Sequence, residues 1–226
     1  MAEPELIIFL KKHFSFWNSL SDAEKQLMLS GISSVRYKQG ENIHSGQREC
    51  LGTIIIKSGT LRTYMLSEEG REVTLYRLYE GDVCILSASC ILQSITFDVH
   101  IDAETDCELL VVGANAFAKL NESNLSVQNF SYKLASERFS DVMWTMQQIL
   151  FMSFDKRLAV FIIDELSTTG GDTVKLTHEQ IAKYMGSARE VVTRMLKYFA
   201  NEGYVTLSRG EIKVVDKKAL KKLASI

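Results

Sequence analysis

The 226-residue sequence predicts an α+β fold with three successive parts. Short strand-like runs separated by glycines in its first half are typical of an antiparallel barrel or jelly roll. A long stretch without proline or glycine then has helical periodicity, and the last third combines short amphipathic helices with a β-hairpin. A hydrophobic content of 46 % is ample for a packed core.

The N-terminal part begins with residues 1–33, where apolar residues recur at helical spacing and Ser21 with Glu24 forms a capping-box pattern. From Val35 the pattern changes to strands, which are predicted at residues 52–57, 60–66, 72–79 and 107–112. Residues 68–70, Glu-Glu-Gly, are predicted to form the hairpin turn between the second and third of these runs.

The middle part, residues 124–150, is predicted to be one helix of about 40 Å, since each residue adds about 1.5 Å. Its apolar stripe consists of Val127, Phe130, Leu134, Ala135, Phe139, Val142, Met143, Met146, Ile149 and Leu150. So broad a stripe needs a partner along its length. We therefore expect part of the helix to lie on the barrel and the rest to pair with a second copy of the chain.

The last part starts with a predicted hinge at residues 151–153, followed by a helix over 154–166 capped by Ser153 and a polar loop at 167–172. Two further helices are predicted within residues 176–199, LTHEQIAKYMGSAREVVTRMLKYF, and they join at Gly186. Capping-box patterns start both, Thr177 with Gln180 and Ser187 with Glu190.

The second of these helices has two different faces. Its apolar face consists of Val192, Met195, Leu196 and Phe199, and its opposite face of Arg189, Glu190, Thr193, Arg194 and Lys197. An apolar half fixed to a scaffold and a first turn rich in arginine are what a helix that reads the DNA major groove requires. The same pattern also occurs in many all-helical proteins, where the charged face is only solvated surface.

A predicted β-hairpin follows this pair of helices. Residues 203–215 alternate between apolar and polar around Arg209-Gly210. Two helices joined by a tight turn and followed by a hairpin form a winged helix-turn-helix, which favours DNA binding over the solvated-surface interpretation.

The distribution of charge is consistent with that interpretation. The net charge is -2, but residues 154–226 contain 13 Lys and Arg against 9 Asp and Glu, a net of +4, whereas the rest has a net of -6. Exposed charges act over about 8–10 Å at physiological salt, so the local sign decides whether phosphates are attracted. A basic DNA-binding domain on an acidic body is expected.

The pattern Ser187-x-Arg189-Glu190-x-Val192-x-Arg194 resembles the recognition helix of the CRP/FNR family of bacterial transcription regulators. Four glycine turns are similar to the family's cyclic-nucleotide-binding β-roll, a double-stranded β-helix or jelly roll: Tyr37-x-x-Gly40, Ile43-x-x-Gly46, Ile55-x-x-x-Gly59 and Gly81-Asp82. The resemblance implies a β-roll domain at 1–122, a dimerisation helix and hinge at 123–152, and a winged helix-turn-helix DNA-binding domain at 153–226.

The function implied by the resemblance is sequence-specific regulation of transcription. A homodimer would bind double-stranded DNA at a two-fold symmetric operator, with RNA polymerase as a further partner. A small effector or a redox signal in the roll would reorient the winged helices. Positions that match the family's base-reading residues are Arg189, Glu190 and Arg194, whereas Thr177, Ser187, Thr193 and Lys197 are expected to contact phosphates.

The effector is where the sequence departs from the family. Cyclic AMP receptors bind the ribose through Gly-Glu and the phosphate through Arg-Ser, but Ile85-Leu86 and Phe97-Asp98 stand near those places. Because a buried cyclic phosphate without a cation is costly, we expect no cyclic AMP binding. An apolar or small uncharged effector is expected instead, in a pocket formed by Cys84, Leu86, Ser87, Cys90, Val142 and Met143.

The four cysteines leave several alternatives open. None lies in the first 49 residues, so the N-terminal ligands of the family's iron–sulfur branch are missing and no such cluster is expected. Cys50, Cys84, Cys90 and Cys107 are interpreted as buried structural thiols, with a thiol redox switch as the second interpretation. A haem group would need His100 as its axial ligand.

Two other functions are compatible with the predicted fold. The winged helix can serve as a protein-interaction module, and jelly rolls also include metal-dependent cupin enzymes. Cupins need clustered histidines, which this sequence lacks, so neither a metal site nor an enzyme is expected. No apolar run reaches the roughly 20 residues that cross a bilayer, and no secretory signal is seen. Four cysteines in a chain of this length do not suggest a disulfide framework, so a reducing cytoplasm is the expected location.

Overall fold

The computed structural model describes residues 3–45, 51–85 and 99–224. Its helices are α1 (Glu3–His13), α2 (Asp22–Ser30), α3 (Ala114–Ser123), α4 (Leu125–Phe151), α5 (Phe154–Thr169), α6 (His178–Met185), α7 (Arg189–Asn201) and α8 (Lys217–Ala224), with a short 3-10 helix at Trp17–Ser19. Its strands are β1 (Ile32–Tyr37), β2 (Asn42–His44), β3 (Thr53–Ser58), β4 (Leu61–Leu66), β5 (Glu72–Leu78), β6 (Val83–Cys84), β7 (His100–Ala103), β8 (Cys107–Val112), β9 (Thr173–Val174), β10 (Val205–Ser208) and β11 (Glu211–Val214). The predicted α+β fold class is confirmed.

Two compact units divide the chain. The first comprises the residues up to Met65 together with Leu75–Val142, and the second comprises Leu66–Thr74 together with the residues from Met143 onward. The tip of the β4–β5 hairpin therefore belongs with the C-terminal helices. The three domain boundaries given above remain a prediction.

In the residues that the structure describes, the first unit is a β-roll of two four-stranded antiparallel sheets, ordered β1-β8-β3-β6 and β2-β7-β4-β5. Successive side chains of a strand point to opposite faces, and β3 uses both faces. Ile54 and Ile56 enter a core whose residues come from both sheets, while Ile55 packs against the N-terminal helices. The predicted turn at residues 68–70 is confirmed, with the Gly70 N–H donating to the Ser67 carbonyl at 2.9 Å.

The N-terminal helices cover the roll through an aromatic cluster. Phe14, Phe16 and Trp17 are buried there together with Val127 and Leu134 of α4. The Ser21–Glu24 capping box is confirmed, since the Ser21 N–H donates to Glu24 at 2.8 Å and the Glu24 N–H to Ser21 Oγ at 3.3 Å.

The strands begin earlier than expected, because β1 pairs with β8 from Ile32 onward rather than from Val35.

The burial of the apolar side chains of helix α4 decreases along its 27 residues. Val127 and Leu134 are buried on the roll, whereas Phe139 is 65 % and Leu150 63 % exposed. The prediction that one part of this helix lies on the roll is therefore confirmed.

Within the part of the chain that the structure describes, no helix is both long and apolar enough to cross a membrane.

The second unit is organised around α5, whose Leu158, Ile162 and Leu166 enter a core shared with α6, α7, α8 and the β10–β11 hairpin. A loop was predicted at residues 167–172, but the prediction is wrong for residues 167–169, which are helical. Helix α5 continues to Thr169, and the hydroxyls of Ser167, Thr168 and Thr169 in this last turn each donate to the carbonyl four residues earlier. Ser153 stands at its N-cap position but makes no side-chain capping bond.

Candidate nucleic-acid interface and effector region

The turn between α6 and α7 is built as a helix-turn-helix turn. The Thr177–Gln180 capping box is confirmed, with the Thr177 N–H 2.8 Å from Gln180 Oε1. At the other end of α6, Gly186 has φ of 59° and the Ser187 N–H donates to the Ala182 carbonyl at 2.9 Å. This Schellman arrangement satisfies the helix carbonyls and turns the chain sharply toward α7.

The predicted Ser187–Glu190 capping box is wrong. Helix α7 begins at Arg189, its N-cap residue is Ala188, and no side chain caps it. The reason is that Ser187 belongs to the preceding turn, where its N–H completes the Schellman bond. The first-turn amide groups of α7 therefore have no side-chain cap. The first two residues of this helix are Arg189 and Glu190.

Two arginines hold the carbonyls of the same turn. Arg157 of α5 donates to the Met185 carbonyl at 2.7 Å, and Arg71 donates through Nε to the Gly186 carbonyl at 2.9 Å. A Cβ added at Gly186 would lie 2.7 Å from Val73 Cγ2, so the hairpin tip packs directly on the turn. The positive charges of the two arginines are favourable at the C-terminus of α6. Their hydrogen bonds hold the turn in place and so fix the position from which α7 starts.

Helix α7 has the two faces that its sequence predicts. Val192, Leu196 and Phe199 are buried in the domain core, and Met195 packs against it. The opposite face consists of Arg189, Glu190, Thr193, Arg194 and Lys197, which together line one surface depression. The structure thus brings five of the seven predicted DNA-contacting residues together. Ser187 is half-buried in the turn, and the Thr177 hydroxyl is used in the α6 cap.

His178 is a residue of this region that the sequence did not single out. Its Nδ1 lies 2.9 Å from the Thr193 hydroxyl, which connects the first turn of α6 to the middle of α7. Burial lowers the pKa of His178, and the nearby positive charges of Arg189 and Lys197 lower it further. No sequence spacing could reveal this pair, because the two residues are 15 positions apart on different helices.

The predicted wing is confirmed. Strands β10 and β11 pair in antiparallel register, with Val205 opposite Val214 and Ser208 opposite Glu211, around a turn in which Gly210 has φ of 75°. Strand β9 adds a third member to this sheet by pairing Val174 with Ile212. That two-residue strand was not predicted from sequence.

The predicted effector pocket is only partly covered by the structure. Leu86, Ser87 and Cys90 lie outside the described residues, as do Cys50 and the segment with Phe97 and Asp98. Cys84 is buried in the core between the sheets and Val142 packs against that core, whereas Met143 is 44 % exposed. The assignment of these residues to an effector pocket remains a prediction.

The cysteines that the structure describes are enclosed. Cys84 and Cys107 are both buried, and burial raises the pKa of the Cys107 thiol. Its Sγ donates to the Thr105 carbonyl at 3.0 Å. His100 stacks on Tyr64 with ring centroids 5.2 Å apart. Within residues 3–45, 51–85 and 99–224, no three His, Cys, Asp or Glu side chains are grouped so as to hold a metal ion.

The described wall of the roll is more polar than expected. Tyr76 of β5 is 8 % exposed, Thr63 of β4 is fully buried, and the guanidinium of Arg138 lies over the Tyr76 ring at 5.1 Å. Burial raises the pKa of Tyr76. Arg138 also forms an ion pair of 2.9 Å with Asp141 on the next turn of α4. The expectation of an apolar or small uncharged effector remains a prediction.

Comparisons with known proteins agree with this architecture. A family model described as Crp-like helix-turn-helix domain matches residues 156–223, and one described as cyclic nucleotide-binding domain matches residues 34–124. A crystal structure from Eubacterium rectale ATCC 33656, assigned to the crp/fnr family of transcriptional regulators, is 47 % identical. That match has a TM-score of 0.91 and covers 95 % of this chain and 99 % of the other.

Two curated relatives come from Thermus thermophilus. The transcriptional regulator SdrP is 28 % identical over 176 residues, which is 75 % of this chain and 82 % of the relative. The cyclic AMP receptor protein is 24 % identical over 208 residues, which is 92 % of this chain and 95 % of the relative.

These observations define a transcription regulator with a C-terminal helix-turn-helix DNA-binding domain and an N-terminal effector-binding domain. More particularly, the chain belongs to the CRP/FNR family. The family predicted from the recognition-helix pattern and the glycine turns is thereby confirmed. Its members are transcription regulators rather than enzymes.

Proposed function

We propose that this regulator is a homodimer that inserts α7 of each copy into successive major grooves of a two-fold symmetric operator. The observation that supports this proposal is that α7 has an apolar side and a charged side. Its apolar side is fixed in the domain core, and its charged side, from Arg189 to Lys197, faces outward as one surface. A helix held in this way is suited to groove reading.

Arg189, Glu190 and Arg194 are the base-reading residues in this proposal. All three are exposed and lie in the first two turns of α7. Arginine forms bidentate hydrogen bonds with the O6 and N7 atoms of guanine, and a glutamate accepts from the cytosine amino group. Each such contact contributes about 1–3 kcal/mol of discrimination between base pairs.

Phosphate contacts are assigned to Thr177, Ser187, Thr193 and Lys197. Lys197 is exposed on the third turn of α7 and supplies a charge without a fixed fork geometry. Thr193 is oriented by His178, so the free side of its hydroxyl is available to an acceptor. Thr177 stands at the N-terminus of α6, where backbone N–H groups and the helix dipole favour an anion even though its own hydroxyl serves the cap.

Dimerisation is assigned to a seam on α4, defined as Tyr132, Ser136, Phe139, Met143, Met146 and Leu150. These positions alternate in steps of four and three residues, which is the heptad spacing of a two-stranded coiled coil. All six are exposed in the single chain. Five of the six are apolar, and a row of this kind on a single chain marks a surface that another protein covers.

Regulation would follow from the position of α4. Its first half packs on the roll and its second half carries most of the seam, so an effector in the roll can shift the population of dimer geometries. The relative from Thermus thermophilus is named for cyclic AMP, but we expect a different effector here. RNA polymerase is the further partner we propose, and the cytoplasm is the location that a bacterial DNA-binding role requires.

A selection of bound duplexes from a random library, carried out with the full-length chain, tests this proposal. The expected result is an enriched inverted repeat with half-sites about 10 base pairs apart, as a two-fold dimer requires. Repeating the selection with Arg189→Ala should relax the preference at one position in each half-site. Enrichment of no sequence at any salt concentration would contradict the proposal and favour a protein-interaction module.

A further inference from the structure

The net positive charge of the C-terminal domain comes from a single helix. Residues 154–226 contain 13 Lys and Arg and 9 Asp and Glu, and four of those 13 are lysines of α8, whose sequence is KKALKKLA. The remaining nine cationic residues are therefore balanced by the nine acidic ones. Without α8, the domain that carries the α7 face would be neutral as a whole.

Helix α8 presents these lysines on the outside of the domain. Its Leu220 and Ala224 are buried in the core of the second unit, and Leu223 packs against that core. The exposed lysines of the helix are Lys217, Lys218, Lys221 and Lys222. The ion pairs that the structure describes in the second unit are formed by Lys183 and Lys213 and by none of these four. The charge of α8 is thus available to a partner.

This arrangement of lysines is unfavourable within the chain itself. Lys217 and Lys221 are four positions apart, as are Lys218 and Lys222, so like charges adjoin on the helix surface. Lys217 and Lys218 also lie in the first turn of α8, where the helix dipole repels cations. An anion that binds the four lysines offsets both repulsions.

The start of α8 is fixed to the base of the wing. The N–H groups of Val215 and Asp216 both donate to the Tyr204 carbonyl, at 2.9 and 3.1 Å, and Tyr204 immediately precedes β10. Asp216 then caps α8, since its carboxylate accepts from the Ala219 N–H at 2.9 Å. Because α7, the β10–β11 hairpin and α8 share one core, the lysines keep a fixed position relative to α7.

The residue type favours the DNA backbone as the partner. All four cations are lysines, whose ammonium groups are point charges without the planar fork with which arginine reads guanine. Duplex DNA has about one negative charge per 1.7 Å of its axis, so a helix with several ammonium groups can neutralise several phosphates at once. In the proposed function α7 holds such a duplex, and the DNA beyond the half-sites is the polyanion closest to α8.

We propose that the lysines of α8 form a second DNA-binding surface, which binds phosphates of the duplex outside the half-site that α7 reads. Phosphate contacts position a protein without specifying sequence, so α8 increases the affinity for any long duplex while α7 chooses among sequences. This inference rests on the proposed function, in which α7 occupies the major groove. It gives the regulator a DNA site that is longer than the sequence it recognises.

Binding of the full-length protein to duplexes of two lengths tests this inference. The short duplex ends at the outer edges of the two half-sites, and the long one continues on each side for one helical turn of unrelated sequence, about 10 base pairs. The wild type should bind the long duplex at least about tenfold more tightly at roughly 0.1 M salt, because flanking phosphates add contacts. The slope of log affinity against log salt should be steeper for the long duplex by about 0.9 for each added contact.

A variant without the charge of α8 locates this effect. It combines Lys217→Gln, Lys218→Gln, Lys221→Gln and Lys222→Gln. The variant should lose most of the difference between the long and the short duplex, while its preference for the selected over an unrelated short duplex stays the same. It should unfold at the same or a higher temperature than the wild type, because like charges on neighbouring turns have been removed.

Two controls separate the position of the charge from its amount. Arginine in place of each of the four α8 lysines keeps the charge and should preserve the length effect. A charge-matched control changes four exposed lysines of the first unit instead, namely Lys11→Gln, Lys12→Gln, Lys119→Gln and Lys133→Gln. It lowers the net charge by the same amount and should also preserve the length effect.

Two outcomes would overturn the inference. One is a wild type that binds the long and the short duplex alike, as expected if α8 contacts an acidic protein. The other is a charge-matched control that loses as much of the length effect as the α8 variant does. Failure of the proposed function would instead appear as equal binding of selected and unrelated duplexes of one length, and the length effect is measured separately with either sequence.

Discussion

The seam of α4 and the outer face of α7 are both exposed helical surfaces, but they differ in amino-acid composition. The seam is mostly apolar, with Phe139 65 % and Leu150 63 % exposed, whereas the α7 face carries arginine, glutamate and lysine. Exposed apolar side chains are stabilised by burial against another protein, and exposed cations with hydrogen-bonding groups suit a polyanion such as DNA. Amphipathic periodicity therefore gives a helix its buried side, and the composition of the other side indicates its partner.

The largest effect is expected from a charge placed in the seam. Phe139→Asp should yield a monomer at micromolar concentrations, because a dimer would have to bury two unpaired carboxylates. Operator affinity should fall at least about 100-fold, since a monomer loses the gain from binding two half-sites together. Sedimentation equilibrium and titration of the selected duplex measure the two effects. Phe139→Leu is the control and should remain dimeric, and a dimeric Phe139→Asp would show that the seam is not the contact.

A second change tests whether the α7 face reads bases. Arg189→Ala should reduce discrimination at one base pair of each half-site by about 1–3 kcal/mol, roughly 10- to 100-fold. Competition binding with duplexes altered at each position measures it. Arg189→Lys keeps the charge but loses the bidentate fork, so it should lose the same discrimination while its salt dependence stays near that of the wild type. Equal discrimination by all three proteins would remove Arg189 from the base contacts.

A smaller effect is expected at Lys197, which is assigned to a phosphate. Lys197→Ala should weaken binding to all duplexes alike, and the slope of log affinity against log salt should become less steep by about 0.9 for each chain. Titrations of a selected and an unrelated duplex at several salt concentrations provide the measurement. Lys197→Arg, which keeps the charge, should preserve the slope. A loss confined to one base pair would instead make Lys197 a base-reading residue.

The smallest predicted effect concerns His178, which supports the α7 face from within the domain. Its pKa is lowered in the folded protein by burial and by Arg189 and Lys197, so the unfolded chain binds the proton more readily. The contribution of His178 to stability is therefore complete above its ordinary pKa of about 6.5 and is lost as the pH falls toward the lowered value. The unfolding temperature of the C-terminal unit should fall more between pH 7.5 and 5.5 in the wild type than in His178→Asn, and equal decreases would contradict the assignment.

Local features were the ones that could be predicted from the sequence. The Thr177–Gln180 cap, the Arg209-Gly210 hairpin and the long helix over 124–150 depend on residues that are close in the chain, so their spacing predicted them within one or two positions. The Ser187–Glu190 pattern failed because two local motifs competed for Ser187. The turn after Gly186 uses its N–H, and that choice depends on the geometry of the whole helix-turn-helix.

Contacts between distant residues could not be predicted in this way. Arg71 lies 115 positions from the Gly186 carbonyl that it binds, and neither residue carries a pattern that indicates the other. Tyr76 and Arg138 come from a strand and a helix, and the position of the Arg138 guanidinium 5.1 Å from the centre of the Tyr76 ring is visible only once the packing is known. The effector pocket indicated by the sequence, of which Cys84, Val142 and Met143 are described, remains a prediction.

The spacing of the two half-sites along the DNA helix determines whether a dimer can place both α7 helices in successive major grooves. Paired copies that present α7 to successive grooves require half-sites separated by about 10 base pairs, one turn of DNA. Inserting about half a turn between the half-sites of the selected duplex should reduce affinity to that of a single half-site, and inserting a full turn should restore part of it unless the dimer cannot span the longer distance. Affinity that stays the same with the half-turn insertion would contradict a dimer with two fixed recognition helices.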